Sequence, residues 1–253
     1  MNRFHEAAAG RPSSGLVLKG EDRAVRQRKR LGFTLIELLV VVAIIALLVT
    51  ILMPSLARAK DLMRATACLS NMHHTGLAVQ MYISENGESY PPSSCDLHEN
   101  PADTWWINAL QPFSGTRLLY RCPSDEAETF LDWTDPPPQE EWGEYRWASY
   151  STNARFDDEQ FRHLGDVPQP AETVYACETP ESVVGADHVH PEMWLSPDDP
   201  RNHVAHDRHM DKANYLFGDG HVAQMPLDDT WSPGKRNLWN PKKAPAWSGP
   251  LDY

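Results

Sequence analysis

Histidines and carboxylates gather in one stretch of this sequence, where their types and spacing could bind a metal ion. Six of the eleven histidines fall between residues 188 and 221, and His203, His206 and His209 recur at every third position. Imidazole nitrogens with nearby aspartates are ligands that suit Zn²⁺ or a harder cation. The stretch has no H-E-x-x-H pattern, so it does not indicate a zinc protease. A metal site at these three histidines therefore stands beside the commoner interpretation, in which they are surface or packing residues.

No other pattern in the sequence indicates catalysis. G-x-S-x-G, the P-loop and G-x-G-x-x-G are absent, and the cysteines at 68, 95, 122 and 177 form no C-x-x-C pair. We therefore expect a protein that is not an enzyme and that uses no cofactor. A structural role is favoured for His209 and for Asp219-Gly220: the dipeptide makes a turn, and His209 hydrogen-bonds backbone near it.

One carboxylate lies in a segment that is otherwise fully apolar. Residues 33–53 are 21 residues with a single charge, Glu37. A helix of that length spans roughly 30 Å, the thickness of a bilayer core. A carboxylate buried there costs about 2–3 kcal/mol or more unless it finds a cationic partner, so Glu37 should serve a function.

Charge is distributed unevenly along the chain. Residues 1–32 carry eight Lys/Arg against three Asp/Glu, although the whole chain has a formal charge of -12. A basic cluster directly before an apolar span keeps the N-terminus in the cytoplasm and places the C-terminal part outside. The rest of the chain is strongly acidic and repels phosphates, so no nucleic-acid partner is expected.

The helical pattern continues beyond the apolar span. Apolar residues recur on one stripe of a 3.6-residue helix at Leu62, Leu69, Met72, Val79 and Ile83, widened by Met63, Ala67, Leu77 and Met81. We predict one helix from about 33 to 83, kinked at Pro54, with its outer half packed on a domain. Glu85-Asn86-Gly87 should end it.

Short strands and turns follow the helix. A short helix should begin near Thr104, and strand candidates are 117–121, 147–152 and 173–177. Residues 214–218 and 221–225 flank Asp219-Gly220, which predicts a hairpin with a two-residue turn. The tail from 231 to 253 has no predicted structure. The fold class is α+β, with a long N-terminal helix packed on a small antiparallel sheet.

The residues around Glu37 resemble a known processing signal. Basic residues, then Gly32-Phe33-Thr34-Leu35-Ile36-Glu37, an apolar run and Pro54 resemble the N-terminus of type IV prepilins and type II secretion pseudopilins. The resemblance implies that a prepilin peptidase cuts after Gly32 and methylates the amine of Phe33. It also implies that Glu37 pairs with the terminal amine of a neighbouring pilin-like subunit, and that Pro54 is the mid-helix proline. Leaders in that family are often shorter than these 32 residues.

Further blocks resemble a large pseudopilin-like bacterial family. They are the helix after Pro54, Cys122-Pro123-Ser124-Asp125, and His209 followed, after nine intervening residues, by Asp219-Gly220, an H-x9-D-G signature. Matching blocks cover residues 26–84, 117–125 and 205–225. The implied class is a pilin-like protein, and no substrate follows from it.

These observations divide the chain into a leader (1–32), a helix (33–83) and a domain (84–253). Within the helix, 33–53 would cross the inner membrane and contact its lipid, and 54–83 would form the outer half. The domain would be periplasmic. The expected function is a structural or assembly subunit of a type IV pilus-like or type II secretion-like fibre.

Two other interpretations remain open. The chain could be a signal-anchored periplasmic binding protein or enzyme with a His/Asp metal site, which would make Glu37 incidental. Cleavage at Ala57-Arg58-Ala59 would instead release a secreted protein, but the apolar run is too long for a signal peptide.

Cysteine pairing depends on the compartment. Cys68 lies on the outer helix, and Cys122 ends a strand candidate expected to pack on it. In an oxidising compartment a Cys68–Cys122 disulfide is therefore our expectation, although spacing alone leaves other pairings open.

Overall fold

The computed structural model describes residues 33–93, 106–115, 120–132, 138–196, 198–232, 234 and 236–242. Its main helix, α1, spans Leu35–Glu85 and contains Pro54 without a break. The chain divides into two compact units between Thr50 and Ile51, within α1. The expectation of a kink at Pro54 stays a prediction.

The end of α1 is specified by local chemistry. Gly87 has a φ of 63°, the left-handed conformation that glycine adopts without steric cost. The Glu88 N–H donates to the Ile83 carbonyl over 3.0 Å, which caps the last turn in a Schellman arrangement. The helix therefore stops where Glu85-Asn86-Gly87 predicted.

The remaining elements are short. Two helical turns, α2 (Trp106–Ala109) and α3 (Gln111–Ser114), precede the sheet, and α4 is Asp199–His203. The strands are β1 (Tyr150–Asn153), β2 (Val174–Glu178), β3 (His188–Val189), β4 (Ala213–Phe217), β5 (Val222–Met225), β6 (Trp231–Ser232) and β7 (Arg236–Asn237). Of the strand candidate at 117–121, residues 117–119 lie outside the described residues, as do Thr104 and Trp105.

Five of these strands form one sheet in the order β3-β1-β2-β4-β5. The pairs β1–β2, β2–β4 and β4–β5 are antiparallel, whereas β3 pairs with β1 in parallel. The predicted antiparallel sheet is therefore mixed. The two-residue strand β3 has no periodicity of its own, and only its place beside β1 sets its direction.

The sheet has a hydrophobic cluster on each of its two faces. Along β4, Leu216 belongs to one cluster, while Ala213, Tyr215 and Phe217 belong to the other. Successive side chains of a strand point to opposite faces, so both faces of β4 are covered. This explains why the strand sequences show no clean alternation of polar and apolar residues.

The first cluster contains the buried side of α1. Its buried residues are Ala65, Cys68, Met72, Thr75, Gly76, Ala78, Val79 and Ile83. Met72, Val79 and Ile83 were predicted, but Leu62 is 56% exposed and Met63, Leu77 and Met81 are also exposed. The stripe was misplaced because small residues, which carry little hydrophobic signal, allow the helix to approach the sheet closely.

The second cluster includes the C-terminal tail, for which the sequence predicted no structure. β6 and β7 pair with each other, and Trp231 and Trp239 are both buried. The Asn153 side-chain amide donates to the carbonyls of Val174 (2.9 Å) and Trp239 (2.8 Å). The tail thus completes the core through contacts distant in sequence, which local patterns do not reveal.

The β4–β5 hairpin has a three-residue loop, Gly218-Asp219-Gly220, rather than the two-residue turn we predicted. The Phe217 N–H donates to the His221 carbonyl, and the Gly220 N–H donates to the Phe217 carbonyl, each over 2.9 Å. Gly220 has a φ of 89°. This is a tight turn followed by a glycine bulge, the common three-residue hairpin connection.

That loop lies directly against α1. A Cβ on Gly76 would overlap the carbonyl oxygen of Gly220, and it would lie 2.8 Å from Leu216 Cδ1. The loop is also tied down by hydrogen bonds to the Gly218 carbonyl from Gln80 Nε2 (3.2 Å) and the Tyr90 hydroxyl (3.0 Å). The helix–hairpin contact therefore requires glycine at position 76.

We predict that Gly76→Ala destabilises the domain by about 1–3 kcal/mol, because the added methyl group has backbone on one side and cannot be accommodated by a rotamer change. The control is Gly143→Ala, whose Cβ would meet nothing within 4 Å. That control should be neutral or slightly stabilising. Denaturant unfolding of the full chain in detergent, followed by tryptophan fluorescence, compares them. Equal midpoints for both variants would contradict the close contact.

Candidate functional site

The N-terminal segment places Glu37 in a capping interaction with its own chain. Glu37 Oε2 accepts hydrogen bonds from the Thr34 N–H (2.9 Å) and the Thr34 hydroxyl (2.8 Å). Thr34 Oγ1 in turn accepts from the Glu37 N–H at 3.3 Å. This is a capping box, in which two orphan N–H groups at a helix start are satisfied reciprocally. We did not predict it from the sequence, although the T-x-x-E spacing is its known signal.

The capping box leaves Glu37 able to bind a cation. An ionised carboxylate offers about four acceptor sites, and Thr34 uses two hydrogen bonds to one oxygen. Phe33 is 71% exposed, and Gly32 lies outside the described residues. The geometry therefore holds Glu37 at the start of α1 with one oxygen remaining for a further partner.

The first part of α1 is apolar on every side. Its large hydrophobic residues from Leu35 to Leu56 are all exposed, and the helix is long and apolar enough to cross a membrane. A helix that is hydrophobic all round needs lipid or protein around it. The apolar part of α1 and the Glu37 carboxylate at its start therefore occur together in the structure.

A second group of functional candidates lies in the domain, around Arg146 and Asp125. Both side chains are fully buried, and Arg146 contacts Asp125 Oδ2 through Nε (2.8 Å) and Nη2 (2.6 Å). The guanidinium also donates to the carbonyls of Pro180 (2.6 Å), Val183 (2.8 Å) and Thr179 (2.6 Å). Burial lowers the pKa of Arg146, and Asp125 opposes that shift.

This cluster gives the Cys122-Pro123-Ser124-Asp125 block a structural role. Asp125 Oδ1 accepts the Ala127 N–H (3.1 Å), while Arg208 Nη2 lies 3.5 Å from Asp125 Oδ2. Arg208 also donates to Glu181 at 2.7 Å. Because breaking a buried pair leaves an uncompensated charge, these residues fix the loops around them. Arg146 and Arg208 carry no local motif, so nothing in the sequence singled them out.

Next to this cluster, the structure joins Cys68 and Cys122 in a disulfide, the pairing that the sequence favoured. The bond connects α1 to the segment before β1, and the Cys122 N–H donates to Ser149 Oγ at 2.8 Å. Cys177 is free and buried, and burial raises the pKa of its thiol. Cys95 lies outside the described residues.

His209 contacts this disulfide, but its partner differs from our expectation. Its Nε2 lies 2.8 Å from Glu178 Oε1, and both side chains are buried. Glu178 also accepts from the Asn214 N–H (2.9 Å) and the Asn214 side-chain amide (3.1 Å). The expected bond from His209 to backbone near the hairpin is therefore replaced by a buried carboxylate on β2.

The three histidines at every third position are not brought together. His203 lines a groove with Trp194, whereas His206 lines another with Asp207, Asp211 and Asp228. Among the described residues, the one group of three or more His, Cys, Asp or Glu residues whose ligand atoms all lie within 4.8 Å of one another contains His209 without His203 or His206. The metal site of the sequence analysis is thus not assembled in this structure.

Asp219 has a local role. Its Oδ1 accepts the His221 N–H at 3.1 Å and lies 2.6 Å from His221 Nδ1. His221 also stacks on Phe217, with ring centroids 4.3 Å apart. Asp219 therefore orders the hairpin loop, and His209 lies elsewhere, beside Glu178.

A long N-terminal helix with an apolar first part, followed by a mixed five-stranded sheet, defines an α+β pilin-like fold. Residues 27–53 match a family model described as the prokaryotic N-terminal methylation motif. The chain therefore carries the N-terminal motif of type IV prepilins and pseudopilins. No curated protein and no solved structure matches the chain.

We predict that peptide mapping of the non-reduced full chain finds a Cys68–Cys122 cross-linked peptide, with Cys177 as a thiol. Loss of this bond in Cys68→Ser should cost about 4 kcal/mol in the chain-entropy model, given a sequence separation of 54. The control is Cys177→Ala, which removes a thiol but no cross-link. Two free thiols at 68 and 122, or a different pairing, would contradict the assignment.

Proposed function

We propose that this protein is a prepilin-peptidase-processed subunit of a type IV pilus-like or type II secretion-like fibre. One observation carries the proposal: the methylation motif at residues 27–53 coincides with the start of a helix whose apolar surface is exposed on all sides. Such a surface suits a subunit that is embedded in lipid before assembly and packs against neighbouring helices in the fibre.

The proposed processing follows from the order of residues. The peptidase cuts between Gly32 and Phe33 and methylates the new amine. The new N-terminus then lies one residue before Thr34, which caps the helix through Glu37. Cleavage thus creates a positive charge within a few residues of a pre-oriented carboxylate.

Assembly uses that carboxylate. In a fibre the first turns of neighbouring subunits lie among apolar helices, where an unpaired carboxylate or ammonium group is costly. Pairing Glu37 of one subunit with the Phe33 amine of the next removes both costs. The charge would therefore fix the register of each new subunit.

The proposed topology places residues 1–32 in the cytoplasm and the domain in the periplasm. The eight Lys/Arg before the span support this orientation. The Cys68–Cys122 disulfide supports it independently, because disulfides persist in oxidising compartments. The inner-membrane lipid, the peptidase and other pilin-like subunits are then the partners.

A structural rather than enzymatic role is also part of the proposal. Four buried ionisable side chains of the described domain, Arg146, Asp125, Glu178 and His209, pair with one another or with backbone carbonyls. These contacts hold loops and strands in place, as a subunit that withstands forces along a fibre requires.

The first test concerns processing. Gly32→Val should leave full-length precursor in the membrane, because a side chain at the cut site blocks the peptidase. The control is Gly20→Val, a change inside the leader that should process normally. Mass spectrometry of the mature wild-type protein should find an N-terminal, N-methylated Phe33. A wild-type protein that retains residues 1–32 would overturn the proposal.

The second test separates the charge of Glu37 from its capping role. Glu37→Gln keeps the capping box, since Gln can replace Glu there, but it removes the charge. We expect this variant to insert and to be processed, yet to be absent from sheared or purified fibres. Thr34→Ser, which keeps the capping hydroxyl, is the matched control and should assemble. Normal assembly of Glu37→Gln would show that charge pairing is not required.

A further inference from the structure

Four side chains that could bind a metal ion converge around the disulfide. The Sγ atoms of Cys68 and Cys122, a carboxylate oxygen of Glu178 and a ring nitrogen of His209 all lie within 4.8 Å of one another, and all four residues are buried. They come from α1, the segment before β1, the end of β2 and the turn before β4. Elements distant in sequence thus place two sulfurs, one nitrogen and one oxygen around one point.

The distances fit the donor set of a tetrahedral zinc ion. His209 Nε2 lies 3.7 Å from Cys122 Sγ and 2.8 Å from Glu178 Oε1. Zinc bonds of about 2.0–2.3 Å to nitrogen, oxygen and sulfur set neighbouring ligand atoms roughly 3–4 Å apart. Thiolate, imidazole and carboxylate are also the three ligand types that zinc uses in proteins.

A disulfide by itself does not need the other two residues. A cross-link between Cys68 and Cys122 requires only the two sulfurs, whereas burying a carboxylate beside them costs free energy. Glu178 is nevertheless held in place by the Asn214 N–H (2.9 Å) and side-chain amide (3.1 Å). Hydrogen bonds of this kind orient carboxylate ligands in metal sites.

We propose that this four-residue site has two states, one cross-linked by a disulfide and one by a metal ion. In the oxidised state it is the Cys68–Cys122 disulfide. After reduction by a dithiol, the same sulfurs bind Zn²⁺, or a similar thiophilic divalent cation, together with His209 and Glu178.

The interconversion balances in atoms and charge. The sulfur–sulfur bond accepts two electrons and two protons from the dithiol, which closes to its own disulfide. Metal binding then releases the two thiol protons. The proton that His209 Nε2 shares with Glu178 moves through solvent to Nδ1 of the same ring, so the Nε2 lone pair can replace that hydrogen bond with a bond to the metal. Two thiolates, a carboxylate and a divalent cation leave a single net negative charge. The guanidinium of Arg208, which lines the same groove as His209, offsets that charge.

A solvent-facing groove of about 250 Å³ lies beside the site. It is lined by His209 and Arg208 together with Asp61, Ser124 and Glu126. Ser124 Oγ lies 3.9 Å from Cys68 Sγ, so the groove reaches the immediate surroundings of the disulfide. The carboxylates of Asp61 and Glu126 would attract a cation to its entrance, and a small reductant could enter by the same route.

The two states suit a chain made in a reducing compartment whose domain folds in an oxidising one. The site depends only on contacts between the outer part of α1 and the domain, however, and not on cleavage at Gly32. Failure of the metal test would therefore leave the proposed processing and assembly untouched, and the reverse also holds.

The test uses the full chain in detergent, reduced by a phosphine without oxygen and titrated with Co²⁺ as a spectroscopic probe. The reduced wild-type protein should bind one Co²⁺ per chain, with thiolate-to-cobalt charge-transfer absorption and the intense visible bands of tetrahedral Co²⁺. Zn²⁺ should displace the cobalt, and the oxidised protein should show neither signal. Absence of these bands in the reduced protein, or equal binding by the oxidised protein, would overturn the proposal.

Variants identify the ligands. His209→Gln and Glu178→Gln should each weaken Co²⁺ binding by at least about tenfold to a hundredfold, since even the loss of a residue that orients a metal ligand has an effect of that size. The matched controls are His221→Gln, on the exposed hairpin, and Cys177→Ala, which removes the other described thiol. Unchanged affinity in both ligand variants, or a loss in either control, would contradict the assignment. The wild-type comparison of redox states decides the question even if a ligand variant does not fold.

Discussion

The contact between the outer part of α1 and the sheet supports the rest of the domain. Gly76 lets the helix approach the Gly220 carbonyl, and Gln80 fastens the same loop through Gly218. Eight residues before Gly76 in the helix, the Cys68–Cys122 bond attaches the segment that leads into β1. Two independent attachments, one a hydrogen bond and one covalent, therefore hold the helix against different parts of the domain.

That contact divides α1 by environment along its length. Up to Leu56 its large apolar side chains are exposed on every side, whereas from Ala65 onward one face is buried in the domain. A single continuous helix thus presents a surface suited to lipid or to other helices and, further along, a surface suited to a protein core. Under the proposed function, the first surface changes partners during assembly while the second stays constant.

Buried polar side chains hold the loops of the domain in one arrangement. Arg146 binds three backbone carbonyls as well as Asp125, and this holds the loops that contain them together. The Glu178–His209 pair lies beside the disulfide and combines with it in the proposed metal-binding state. Buried charges of this kind define one arrangement of the loops, because any other arrangement would leave a charge unpaired.

Local signals in the sequence were sufficient for the features that depend on neighbouring residues. Residues close together in the sequence account for the apolar span and the methylation motif, for the end of α1 at Gly87 and for the presence of a β4–β5 hairpin. The predicted helix and the α+β class rest on the same short-range periodicity. Even there, the hairpin loop was predicted one residue too short, because Asp-Gly is compatible with either loop length.

Only the tertiary structure decided the features that join distant segments. Each depends on residues tens of positions apart. They are the parallel pairing of β3, the burial of Trp231 and Trp239 from the tail, and the pairing of His209 with Glu178. No local pattern encodes such contacts, since a histidine or tryptophan has the same sequence signal on the surface as in the core. Packing of both sheet faces determined which of these side chains became buried and therefore which polar groups had to find one another.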